Sequence, residues 1–105
     1  MTGEKVNHPD HYNVPGKKEC IEQMYEDYGM EITAIFCLTN AYKYLYRAGF
    51  KSGESETDDI AKAKWYYDWI MNKGFHVFSV YLSETIELQR YVENELKKYY
   101  KKQWG

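Results

Sequence analysis

Residues 31–48 read EITAIFCLTNAYKYLYRA, and this stretch decides the fold. Ile35, Leu38, Tyr42 and Leu45 recur at three- and four-residue spacing, and Ile32 and Phe36 widen the stripe. That spacing predicts an amphipathic helix. A helix apolar over so much of its surface is expected to be central.

Further helices are expected on both sides of it. Residues 17–28 carry Cys20, Ile21, Met24 and Tyr28 at helical spacing, and Gly29 ends them. After 31–48 comes GFKSGESE at 49–56, a loop with two glycines. The next helix spans about 57–73, with Ile60, Ala63, Tyr67 and Ile70 as its core stripe and Gly74 at its end. Ser55 or Thr57 suits its cap, and Asp58 and Asp59 sit where the helix dipole favours anions. FHVFSVYL at 75–82 is ambiguous, because its β-branched and aromatic content permits a short strand. Residues 83–102 read as a last helix, with Leu88, Val92, Leu96 and Tyr99 on one face and Lys97, Lys98, Lys101 and Lys102 at its negative end. Residues 1–16 hold Pro9 and Pro15 and form an irregular arm, since each proline disfavours helix at the residue before it. The expected architecture is all-α: a bundle of about four helices behind that arm. It divides into the arm (1–16), a helical core (17–74) and a C-terminal region (75–105) whose apolar stripe is the candidate oligomer contact.

Composition bounds the function without naming it. The 105 residues make one domain. Fourteen basic against sixteen acidic residues leave a net charge of −2. That excludes a strongly basic nucleic-acid coat, though not a local basic pocket. No apolar run approaches the length of a membrane span, and MTGEKVNHPDHY has no apolar stretch of signal-peptide type. Cys20 and Cys37 form no paired motif, so two reduced thiols and a cytoplasmic location are expected. Twelve tyrosines reconcile the mean hydropathy of −0.77 with a folded chain, because large rings bury much area per residue.

Three constellations carry candidate chemistry. Asn40, Lys43 and Arg47 fall within about 60° of one another on the 31–48 helix, pointing away from the Ile35/Leu38/Tyr42/Leu45 stripe, with Gly49 and Lys51 just beyond. An amide and cations beside a glycine-permitted loop suit a phosphate; a solvated helix face is the alternative. His8-Pro9-Asp10-His11-Tyr12 admits a capping turn, contact with a phosphate or base, or a metal pair in which Cys20 is the nearest third ligand; no metal site is assigned. Asp58, Lys62, Trp65 and Trp69 follow i, i+4, i+7 and i+11. They make either an ion pair with tryptophan packing, or an acid that orients a cation and a ring that stacks on a base. No G-x-x-x-x-G-K-[ST] loop is present: Gly16-Lys17-Lys18 lacks the first glycine and the hydroxyl residue. There is no G-x-S-x-G elbow. Glu84 and Glu87 lack a second carboxylate pair.

Four ordered blocks, VNHPDHYN at 6–13, ECI at 19–21, NAYKYLYRAGFK at 40–51 and DDIAKAKWYYDWI at 58–70, resemble a small domain family of bacteriophages and prophages. Its pattern runs V-N-H-P-x-H-Y, E-C-I, N-x-x-K-Y-x-x-R-x-G-x-K and a D-L-x-K-A-x-W-Y-L helix. It is called nucleotide-kinase-like, because a small phage deoxynucleoside-monophosphate kinase carries the domain. The resemblance implies an oligomer that binds a nucleotide. Its matching positions here are Asn7, His8, His11, Tyr12, Asn40, Lys43, Tyr44, Arg47, Gly49, Lys51, Lys62, Trp65 and Tyr66. Thr39 stands where members often have glycine, and Tyr67 where leucine is usual.

Three functions fit these residues. In a nucleoside monophosphate kinase, Lys43, Arg47 and Lys51 neutralise the transferring phosphate, His8 or His11 orients a phosphate, and Asp58 or Asp59 holds Mg2+. A non-catalytic sponge that sequesters a nucleotide or a nucleotide-derived immune signal, as an anti-defence protein, needs the same cations and rings but no cofactor. A host-protein interaction module would instead use Trp65, Trp69 and the 83–102 helix.

Overall fold

The structure, a computed structural model, describes residues 16–50, 53 and 55–101. Among the described residues there are three helices, α1 (Cys20–Arg47), α2 (Glu56–Asn72) and α3 (Ser83–Lys97), and a 3-10 turn, Val77–Ser79, before α3. No strand occurs among the described residues, so the chain is all-α. The first two expected helices run on as α1, with a kink between them. Gly29, at φ 83° and ψ −166°, still breaks the path inside α1. That backbone region is essentially restricted to glycine. Most of the N-terminal arm lies outside the described residues.

The core is not built on the stripe of large residues. On α1 the buried positions are Ile21, Thr33, Ala34, Cys37, Leu38, Ala41 and Tyr44, followed by Ala48 just past its end. Of the expected stripe, Leu38 is buried, Ile35 and Leu45 are half-buried, and Tyr42 is exposed; Ile32 and Tyr28 are exposed too. The small residues explain the rotation. Packed helix axes lie about 8–10 Å apart depending on the side chains between them, and alanines permit the close end of that range. The bulkier rings then flank the seam. Opposite, α2 buries Ile60, Ala63, Tyr67 and Ile70 as its spacing predicts, and adds Asp59 and Tyr66. Helix α3 contributes Val92 and Leu96, with Thr85 and Gln89 also buried. Leu88 is half-buried, and Tyr99 lies exposed past the end of a helix shorter than expected.

Residues 75–82 form a capped turn instead of a strand. His76 Nδ1 accepts from the Phe78 N–H at 3.1 Å, and Ser79 Oγ accepts from the His76 N–H at 3.2 Å. A lone strand satisfies none of its backbone groups, whereas this turn satisfies two of them locally. The Glu31 carboxylate then accepts from the N–H groups of Tyr81 (3.0 Å) and Leu82 (2.8 Å). A helix leaves its first N–H groups without partners, so one side chain of α1 fastens the entry to α3. Helices α1 and α2 are tied at their other ends by Lys73, whose Nζ lies 3.0 Å from Glu22 Oε1 and 4.9 Å from the Trp69 ring centre. No helix among the described residues is long and apolar enough to cross a membrane.

Both cysteines are free thiols, Cys20 exposed and Cys37 buried. Burial pushes the Cys37 thiol up from 9.0 to about 12. At pH 8 a thiol reagent should therefore label Cys20 quickly and Cys37 only on unfolding. The folded state favours the neutral thiol, so its contribution is whole below pH 9 and is lost as pH rises toward 12. Urea melts above pH 9 should show that fall, and Cys37→Val should lessen it. Glu31→Ala should remove the clasp on α3 and cost about 1–3 kcal/mol, the penalty for charge-assisted bonds to backbone donors. Unchanged chemical denaturation would contradict the clasp.

Candidate site: three cations around a buried tyrosine

The last turns of α1 and the first turns of α2 meet around Tyr44. Its ring is 6% exposed and stacks on Tyr66, with centroids 6.1 Å apart and planes 15° apart. Tyr66 in turn receives the edges of Phe36 (5.9 Å) and Trp65 (5.1 Å). Three cations gather on Tyr44: Lys43 Nζ at 4.6 Å, Arg47 Cζ at 4.9 Å and Lys62 Nζ at 5.5 Å from the ring centre. The negative face of an aromatic ring attracts cations at this range.

Like charges so close repel, and the opposing charge lies beneath them. Asp59 is fully buried, and its Oδ1 is 3.7 Å from Arg47 Nε. That distance is an ion pair and too long for a hydrogen bond. Among the described residues neither Asp59 oxygen, nor Arg47 Nε, has a hydrogen-bond partner. The carboxylate therefore acts on Arg47 as buried charge, and the Arg47 side chain stays 28% exposed at the surface. Local sequence puts Asp59 there. Ser55 Oγ accepts the Asp58 N–H at 3.0 Å and starts α2, so Asp59 falls in the first turn, where the helix dipole favours an anion.

Among the expected residues, Lys43, Tyr44, Arg47 and Lys62 are brought together. Trp65 stands one ring further off, against Tyr66. Asn40 shares the face of Lys43 and Arg47, but its Nδ2 donates to the Phe36 carbonyl at 2.8 Å. Its amide serves its own helix. Asp58 is half-buried and its N–H forms the cap; the acid against Arg47 is its neighbour Asp59. Tyr44, matched by the resemblance, is the platform on which the cations rest. Lys43 is exposed and Arg47 half-buried, on either side of the buried Tyr44 in sequence. Asn7, His8, His11, Tyr12 and Lys51 lie outside the described residues.

Two residues escaped the sequence reading in this role. Asp59 precedes Ala63 by one helical turn, which places it on the core side of α2, and that spacing was the available signal. Phe50 follows Arg47 by three residues, its N–H donating to the Arg47 carbonyl at 2.9 Å, with its side chain 88% exposed. Gly49 at φ 81° makes this turn. No group of three His, Cys, Asp or Glu side chains placed to hold a metal occurs among the described residues. A groove of about 280 Å³ is lined by Glu56, Thr57, Ile60, Tyr99 and Tyr100.

Arg47→Ala should strand the Asp59 charge in the core and cost about 3 kcal/mol. Adding Asp59→Ala should recover part of that loss, with a coupling of about 1 kcal/mol or more between the two positions. Additive losses in urea denaturation would mean that the pair does not interact.

In comparison with known proteins, the model of a family described as Protein of unknown function (DUF3310) matches residues 6–68. No curated protein and no solved structure matches the chain.

Proposed function

Since the chain belongs to the DUF3310 family through residues 6–68, its function has to be read from its own site, and we propose that it binds a nucleotide by the phosphate. The observation that carries this reading is the gathering of Lys43, Arg47 and Lys62 within 5.5 Å of one buried ring. A guanidinium grips two phosphate oxygens in a planar fork, and ammonium groups add point charge. Asp59 orients Arg47 through Nε and so leaves the two Nη groups for an anion. The resemblance to the nucleotide-kinase-like phage family adds the nucleoside. Through it Asn7, His8, His11, Tyr12 and Lys51 join the proposal.

Retention of the ligand without turnover, as in a sponge for a nucleotide or a nucleotide-derived signal, is the form we favour. Phosphoryl transfer requires donor and acceptor held in line with magnesium across the phosphates, and the described cations make one cluster around one ring. A kinase would add Mg2+ on Asp58 and a nucleoside triphosphate as donor. The oligomer implied by the resemblance belongs to the same proposal. Exposed rings between α1 and α3, with Tyr42 6.3 Å from Tyr46 and 5.4 Å from Tyr91, suit a second copy. Light scattering that finds only monomer overturns that part.

Calorimetry should detect binding of nucleoside phosphates by the wild-type protein, weakening as salt rises. Lys43→Ala and Lys62→Ala should each weaken it roughly tenfold. Arg47→Lys, which keeps the charge over Asp59, should weaken it by losing the fork. Ligand recovered intact supports retention, and diphosphate formed from ATP and a monophosphate supports transfer. Absence of binding across mononucleotides, their di- and triphosphates and cyclic oligonucleotides overturns the proposal.

A further inference from the structure

The geometry points to Phe50 as the surface on which the ligand's base stacks, which makes the ligand a phosphate joined to an aromatic base and not a free phosphate or a sugar phosphate. This inference rests on the nucleotide reading above and deepens it.

The rings inside the site are already engaged. Tyr44 and Tyr66 are 6% and 9% exposed and lie against one another. The Tyr44 ring also carries the three cations, so no base can reach its face. Trp65 is half-buried with its ring edge-to-face on Tyr66. A base held beside the phosphate must therefore find a ring at the margin of the cluster.

Phe50 stands at that margin. Its N–H is bonded to the Arg47 carbonyl, and such a turn brings its ends within about 7 Å. The ring is thus tethered to the arginine proposed to hold the phosphate. A single exposed apolar residue is ordinary on a protein surface. An 88% exposed phenyl fastened one turn beyond a cluster of three cations is a narrower circumstance. The turn is also held in shape. Gly49 adopts φ 81°, a backbone conformation that residues with a side chain rarely take. A cation cluster with an open aromatic beside it is a usual means of holding a nucleotide without reading hydrogen bonds on its base.

The test is calorimetry of the full chain with nucleoside monophosphates, ribose 5-phosphate and inorganic phosphate. Wild-type protein should bind the monophosphates more tightly than ribose 5-phosphate. Phe50→Ala should weaken the monophosphates roughly tenfold to a hundredfold, the range for losing one base–aromatic stack, and leave ribose 5-phosphate unchanged. Phe50→Trp should retain or tighten nucleotide binding, which a merely structural role would not produce. Equal binding of monophosphates by wild type and Phe50→Ala overturns the inference while leaving the phosphate site standing. So does equal affinity of the wild type for ribose 5-phosphate and the monophosphates. Failure of the wild type to bind any of these compounds overturns both.

Discussion

The contact between α1 and α2 governs the rest of the structure. Ala34, Cys37 and Ala41 on one helix and Ala63 on the other are all fully buried. Small side chains along a seam let two helices approach until their backbones set the limit. That approach carries Tyr44 onto Tyr66 and brings Asp59 of α2 under Arg47 of α1. Lys62, one turn further along α2, then arrives over the same ring as Lys43. A leucine at Ala41 or Ala63 would push the helices apart and separate all of these pairs.

The price of this arrangement is a charge in the core. A carboxylate buried without hydrogen bonds is costly, and one ion pair at 3.7 Å offsets that only in part. Stability alone would favour an apolar residue at position 59. What the acid supplies is local: it holds an arginine at the surface and lowers the repulsion among three cations that share one ring. Polar features that cost stability gather where a chain holds a ligand. A second polar set, at the α2–α3 contact, differs in kind. There Gln89 Nε2 donates to Glu93 Oε1 at 2.6 Å and Lys97 pairs with Glu93 at 3.1 Å. Burial and the nearby Glu93 push the Tyr67 phenol up to about 12. These groups satisfy one another and join helices.

Much of this was legible in the residue order. The α2 stripe of Ile60, Ala63, Tyr67 and Ile70, the Ser55 cap and the break at Gly29 each follow from local rules, because each depends on backbone geometry within a few residues. The convergence of Lys43 and Arg47 was legible too, as helical neighbours. The depth of Tyr44 was not. Periodicity weighs residues by size and hydropathy, and it favoured Tyr42 over Ala41. Both Asp58 and Asp59 suit a first turn; the spacing of Asp59 to Ala63 marked it as the inner one, but its partner Arg47 is set by the facing helix.

The sequence by itself determined an all-α chain, its helix starts and stops, and the set of cations and rings from which a site can be made. The tertiary structure decided which side of each helix is inside, and with it which tyrosine is a platform, which aspartate is a counter-charge and which aromatic is left in the open. The reason is that helix formation is settled by neighbours along the chain, whereas the buried face is settled by how closely two helices can approach. A few alanines decide that approach, and a hydropathy pattern gives them little weight.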